Sequence, residues 1–164
     1  MEIRISGAIE ESIVDGPGVR YVIFTQGCPH HCPGCQNPET HDFDGGMVVD
    51  TEAFLKEIKA NPLISGVTFS GGEPFCQPEP LIELGKEIKA LGKSLWSFSG
   101  YTFEEILALG EKQRELLECL DVLVDGKFLI EEKSLSLRFR GSKNQRLVDV
   151  KKSLEAGEVI LWDN

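Results

Sequence analysis

Apolar, β-branched runs alternate with amphipathic helical segments through most of this chain, and that alternation constrains the fold more than any single motif. Residues 19–25, 66–70, 94–99 and 121–125 have strand-like patterns, and residues 3–13 contain a further short extended segment. Between them, residues 51–60 put Phe54, Leu55 and Ile58 on one helical face, with Asp50 or Thr51 available as a cap and Pro62 closing the segment. A second helix is expected at about residues 79–91, ended by Gly92, and a third begins near Thr102. Strands separated by helices of this length need right-handed crossovers, which lay neighbouring strands parallel. The class is therefore α/β with a mainly parallel sheet. A complete eight-fold barrel takes about 250 residues. This chain has 164, so the expectation is one domain over residues 1–164 built as a partial, open β/α barrel.

Composition narrows the function classes. With 41% hydrophobic and 27% charged residues the chain is an ordinary globular protein and can bury a sizeable core. A formal net charge of −10 argues against nucleic acid or an anionic membrane as partner, because either requires a basic face. No apolar run approaches the roughly 20 residues of a membrane span, and the first residues do not begin a signal peptide, so a cytoplasmic location is expected.

Directly after the 19–25 strand comes Cys28-Pro29-His30-His31-Cys32-Pro33-Gly34-Cys35. Three soft thiolates grouped so tightly suit an iron–sulfur cluster or zinc. A closed electron-transfer cluster has four cysteine ligands, so a cubane held by three leaves one iron open to another ligand. Of the other two cysteines, Cys119 reads as a small hydrophobe within Leu116-Leu117-Glu118-Cys119-Leu120, and Cys76 stands apart from the local spacing. His30 and His31 read as solvent-facing loop residues. One of the chain's three histidines could instead complete a Cys3His zinc site.

In open α/β sheets chemistry gathers at the carboxyl ends of the strands. Cys28, Gly71, Ser99 and Asp125 all fall at or just past an expected strand end. In Ser70-Gly71-Gly72-Glu73-Pro74 the glycines allow close approach to the backbone, and Glu73 can accept hydrogen bonds from an ammonium group. Arg138, Arg140, Lys143 and Arg146 form the one basic cluster of an acidic chain.

These residues resemble the radical S-adenosylmethionine (SAM) enzymes, whose C-x3-C-x2-C loop follows the first barrel strand and whose second motif is similar to Gly71-Gly72-Glu73-Pro74. Val14-Asp15-Gly16-Pro17-Gly18-Val19-Arg20 is similar to the segment before that loop in activases of glycyl-radical enzymes. Residues 123–128 and 139–146 resemble the activases that serve anaerobic ribonucleoside-triphosphate reductase. The resemblance implies one [4Fe–4S] cluster on Cys28, Cys32 and Cys35, with SAM on the open iron. One electron then cleaves SAM to methionine and a 5′-deoxyadenosyl radical, which takes a hydrogen atom from a glycine of the reductase. Gly71, Gly72 and Glu73 would meet the SAM amine, the backbone of Gly34, Cys35 and Gln36 would face adenine, and Asp125 and Lys127 would bracket its carboxylate and ribose. Implied partners are the reductase and a low-potential electron donor such as flavodoxin or ferredoxin. Gly34 departs from the aromatic that many superfamily members carry before the third cysteine. Other readings of the same residues are an activase of the pyruvate formate-lyase type, an iron–sulfur electron carrier, or a zinc-stabilised binding module.

Overall fold

The structure is a computed structural model that describes residues 1–35 and 37–163. Seven strands form one sheet: β1 (Glu2–Ser12), β2 (Arg20–Thr25), β3 (Met47–Asp50), β4 (Gly66–Gly71), β5 (Ser94–Phe98), β6 (Val122–Asp125) and β7 (Arg146–Asp149). The helices are α1 (Thr51–Ala60), α2 (Pro78–Ala90), α3 (Phe103–Leu109), α4 (Glu111–Cys119) and α5 (Val150–Ala156). The strand order is β3-β1-β2-β4-β5-β6-β7. The four central strands β2, β4, β5 and β6 are parallel neighbours, as the alternating pattern required. The outer pairings β1–β2, β1–β3 and β6–β7 are antiparallel, which still leaves five of the seven strands pointing one way.

The antiparallel edges follow from short connections. Only residues 13–19 join β1 to β2, too few for the dozen or more that a parallel crossover takes. Strands β3 and β7 have four residues each and little burial, so neither has a period long enough to read from sequence. The helix that begins at Thr102 is two helices, α3 and α4, meeting at Gly110. Thr102 caps the first through a reciprocal capping box with Glu105.

Alternation along the central strands sorts the two faces of the sheet. Tyr21, Ile23, Val67, Phe69, Leu95 and Leu123 point to the helices and join one large core. Leu81, Leu84 and Ile88 of α2, at helical spacing, are buried against that face. Each contributes about 1.5–3 kcal/mol by leaving water. The other face carries a smaller cluster of Trp96, Val122, Val124 and Phe139, with Trp162 packed on it. Helices thus cover one face only, and the other face leaves room for a site at the strand ends. Among the described residues no helix is long and apolar enough to cross a membrane.

Candidate active site

A cavity of about 280 Å³ opens at the carboxyl ends of the parallel strands. Cys28, Cys32 and Cys35 line one side, and Ser70, Gly71 and Gly72 at the end of β4 line the side next to it. Phe98, Ser99 and Gly100 after β5 and Gly126 and Phe128 after β6 complete the arc. The cysteine loop is held at its root by backbone bonds, Gly27 N–H to Thr40 O (2.7 Å) and Cys28 N–H to His41 O (3.1 Å). Burial pushes the Cys28 thiol up, against the backbone N–H of His30. Cys32 is also raised by burial, opposed by the backbone of Phe128 and the charge of Lys127. Metal binding must therefore displace protons here, as thiolate ligation generally does.

The glycine pair brings the ends of β2 and β4 together. Gly71 has φ +94°, and Gly72 donates its N–H to Thr25 O at 2.8 Å. A Cβ on Gly72 would stand 2.4 Å from Gly27 O, so no side chain fits at this crossing of backbones. Glu73 lies beneath, completely buried. Its carboxyl oxygens accept from Phe75 N (3.0 Å), Gly100 N (2.8 Å), Ser99 Oγ (2.9 and 3.0 Å) and His30 Nε2 (2.7 Å). One carboxyl group thus joins the ends of β4 and β5 to the cysteine loop.

The opposite wall is made by two segments that fold against each other. Gln145 Oε1 accepts from the backbones of Gly141 and Ser142, and its amide donates to Gly126 O. Asp125 is buried and binds Arg146 through both carboxyl oxygens, at 3.0 and 2.5 Å, while also accepting from Phe103 N at the start of α3. These contacts present Gly126, Phe128, Gly141 and Gln145 to the cavity.

The floor rests on Arg20. It is fully buried, its guanidinium donating to Pro17 O, Thr68 Oγ1, Val67 O, Ser94 Oγ and Ser94 O, and it lies 5.5 Å from the Trp96 ring centre. Thr68 Oγ1 in turn donates to Asp15 O (2.8 Å). The 13–18 turn is thereby tied to β4, and Asp15 reaches the cavity.

Of the residues singled out in the sequence, the structure brings Cys28, Cys32, Cys35, Gly71 and Gly72 to one cavity. Glu73 is adjacent but faces its four donors. Gly34 and Lys127 are exposed and do not line the cavity, Asp125 is committed to Arg146, and Gln36 lies outside the described residues. His30 is not the solvent-facing loop residue its sequence position suggests, for its side chain is 6% exposed. The basic cluster also divides: Arg140 and Arg146 are internal ties, whereas Arg138 lies 4.6 Å from the centre of the Phe139 ring. Sequence reasoning missed Gln145, Phe128, Gly100 and the role of Arg20. Ser99-Gly100 at a strand end was the signal available for Gly100.

Residues 14–148 match the 4Fe-4S single cluster domain family. Every residue lining the cavity, from Asp15 to Gln145, lies inside that span. The chain is 34% identical over 141 residues to the anaerobic ribonucleoside-triphosphate reductase-activating protein of Haemophilus influenzae, covering 81% of this chain and 89% of that one. The protein of the same name from Escherichia coli K12 is 36% identical, with 81% and 90% covered, and that from Enterobacteria phage T4 is 38% identical, with 82% and 86% covered. The chain belongs to the anaerobic ribonucleoside-triphosphate reductase-activating protein family. A fold likeness accompanies it: the crystal structure of QueE from Escherichia coli superposes with a TM-score of 0.52 at 18% identity, over 76% of this chain and 70% of QueE. In this member of the reductase-activating protein family the donor set suits a [4Fe–4S] cluster. Three thiols from one loop open into one cavity, and neither Cys76 nor Cys119 is among its lining residues. Among the described residues no three His, Cys, Asp or Glu side chains close on a single point.

Proposed function

We propose that the protein activates an anaerobic ribonucleoside-triphosphate reductase by removing a hydrogen atom from one of its glycines, with a [4Fe–4S] cluster on Cys28, Cys32 and Cys35 and SAM held against the strand ends. The observation that carries this reading is the single cavity in which three cysteines of one loop face the Gly71-Gly72 backbone. When bound, the cluster supplies the electron that breaks a carbon–sulfur bond of SAM, and the nucleoside carbon so released takes the hydrogen atom.

The chain's own residues bind, orient and shield. Gly71 and Gly72 leave the end of β4 without side chains, so the SAM methionine end can approach the backbone. Glu73 takes its ammonium group. The backbone of Gly34 and Cys35 faces adenine; Gln36, the third residue the resemblance implies there, lies outside the described residues. Lys127, exposed, with a charge that partly opposes the burial that raises the Cys32 thiol, is the cation offered to the SAM carboxylate. Asp125 acts from behind, holding Gly126 and Phe128 in place through Arg146.

The reductase glycine enters past the 13–18 turn. Asp15 on one side of that turn lines the cavity, and the other side borders a groove of about 290 Å³ where Ile13 and Val14 are 75% and 70% exposed. The electron comes from a low-potential flavodoxin or ferredoxin. Anaerobic reconstitution followed by reduction with SAM tests the site: one cluster's iron and sulfide per chain is expected, with methionine and 5′-deoxyadenosine released together. Cys32→Ala should lose both, and a full cluster in that variant would overturn the ligand assignment.

A further inference from the structure

Glu73 already has a full set of partners. A carboxylate offers about four lone-pair positions, and Phe75 N–H, Gly100 N–H, Ser99 O–H and the His30 ring N–H fill them. Three of these donors belong to the strand ends. The Phe75 and Gly100 amides cannot leave without unmaking the turns after β4 and β5, and Ser99 Oγ is itself fixed by accepting from Tyr101 N at 3.0 Å. The fourth donor comes from the cysteine loop. His30 sits between Cys28 and Cys32, its ring edge-on to Tyr101 with centres 4.6 Å apart. It fills the space left by the missing side chain of Gly100, where a Cβ would stand 2.3 Å from His30 Cδ2.

An ammonium group arriving at Glu73 has to replace one donor, and His30 is the one that can withdraw by a side-chain rotation and a shift of its loop. We propose that His30 keeps the ammonium position on Glu73 and yields it to SAM. It is then a positioning residue that sets SAM affinity and couples SAM arrival to the placement of the loop carrying Cys28 and Cys32. This inference rests on the reading of Glu73 as the acceptor of the SAM amine. The exchange replaces one charge-assisted hydrogen bond by another and changes no covalent bond.

A competitor differs from a support in the sign of its removal. The measurement is the SAM dissociation constant of cluster-loaded, oxidised protein by anaerobic equilibrium dialysis, a condition in which SAM is not cleaved. His30→Ala should bind SAM about tenfold more tightly, since the imidazole's charge-assisted bond no longer has to be broken. His30→Gln, which keeps a donor, should stay near the unaltered protein. Gly100→Ala expels the ring while leaving the cysteine loop's sequence intact, and should also tighten binding. Nuclear magnetic resonance of 15N-histidine-labelled protein should show the His30 Nε2 signal shift as SAM is added. Unchanged or weaker binding in both His30→Ala and Gly100→Ala would overturn the exchange. Glu73→Gln separates the two readings: if it leaves SAM affinity unchanged, the placement of the amine on Glu73 falls. If it weakens binding while neither other variant tightens it, the exchange alone falls.

Discussion

Among the described residues Arg20 is a buried cation without a carboxylate in contact. Desolvation lowers its pKa to about 10, against the pull of Asp121 and Asp15, so it remains charged at neutral pH. Its five oxygen acceptors come from the 13–18 turn, β4 and β5. Arg20→Met leaves those acceptors unpaired in the interior and should cost about 3 kcal/mol of stability, read from the urea midpoint. Arg20→Lys keeps the charge but not the planar fork that spans Thr68 and Ser94, so it should recover only part of the loss. A methionine variant as stable as the unaltered protein would show that the turn does not depend on this guanidinium. The Val14–Arg20 segment was visible in the sequence as a unit. What Arg20 does there was not, because all its partners except Pro17 lie 47, 48 or 74 residues away.

Between elements, contacts of backbone with backbone decide the site. Gly72→Ala places a Cβ 2.4 Å from Gly27 O, immediately before Cys28. It should therefore lower the melting temperature and the iron retained after reconstitution together, and loss of SAM binding with iron and stability intact would contradict this placement. On the other wall, Arg146→Met leaves Asp125 buried without its cation. Breaking a fully buried pair costs roughly 3–5 kcal/mol. Arg146 is about a third exposed, so about 2 kcal/mol is expected by chemical denaturation. The parallel strands, α1 and α2 were legible because their apolar residues are buried in unbroken runs or on one helical face, and the cysteine loop because of its spacing. Strands β3 and β7 were not, being short and half covered, and neither was α5, whose seven residues form only a brief helix. Cys28, Cys32, Cys35, Gly71 and Gly72, placed at the strand ends by the sequence, line one cavity. The inward turn of His30 depended on the vacancy at Gly100, which no local pattern announces.

At the scale of the whole molecule, helices cover only one face of the sheet, and the cavity on the other is shielded by loops and the 13–18 turn. Hydrogen abstraction needs the reacting atoms within about 3–3.5 Å, so under the proposed function the reductase brings its glycine through this opening and closes it. Complex formation should slow amide exchange across residues 13–18 and 137–139, which border the adjoining groove, and unchanged exchange there would place the contact elsewhere. Electron paramagnetic resonance tests the proposed function most directly. Reduced anaerobically with SAM, the protein should raise a glycyl-radical doublet on anaerobic ribonucleoside-triphosphate reductase and none on pyruvate formate-lyase; a doublet only on the lyase, or none on either while SAM is cleaved, would contradict the assignment.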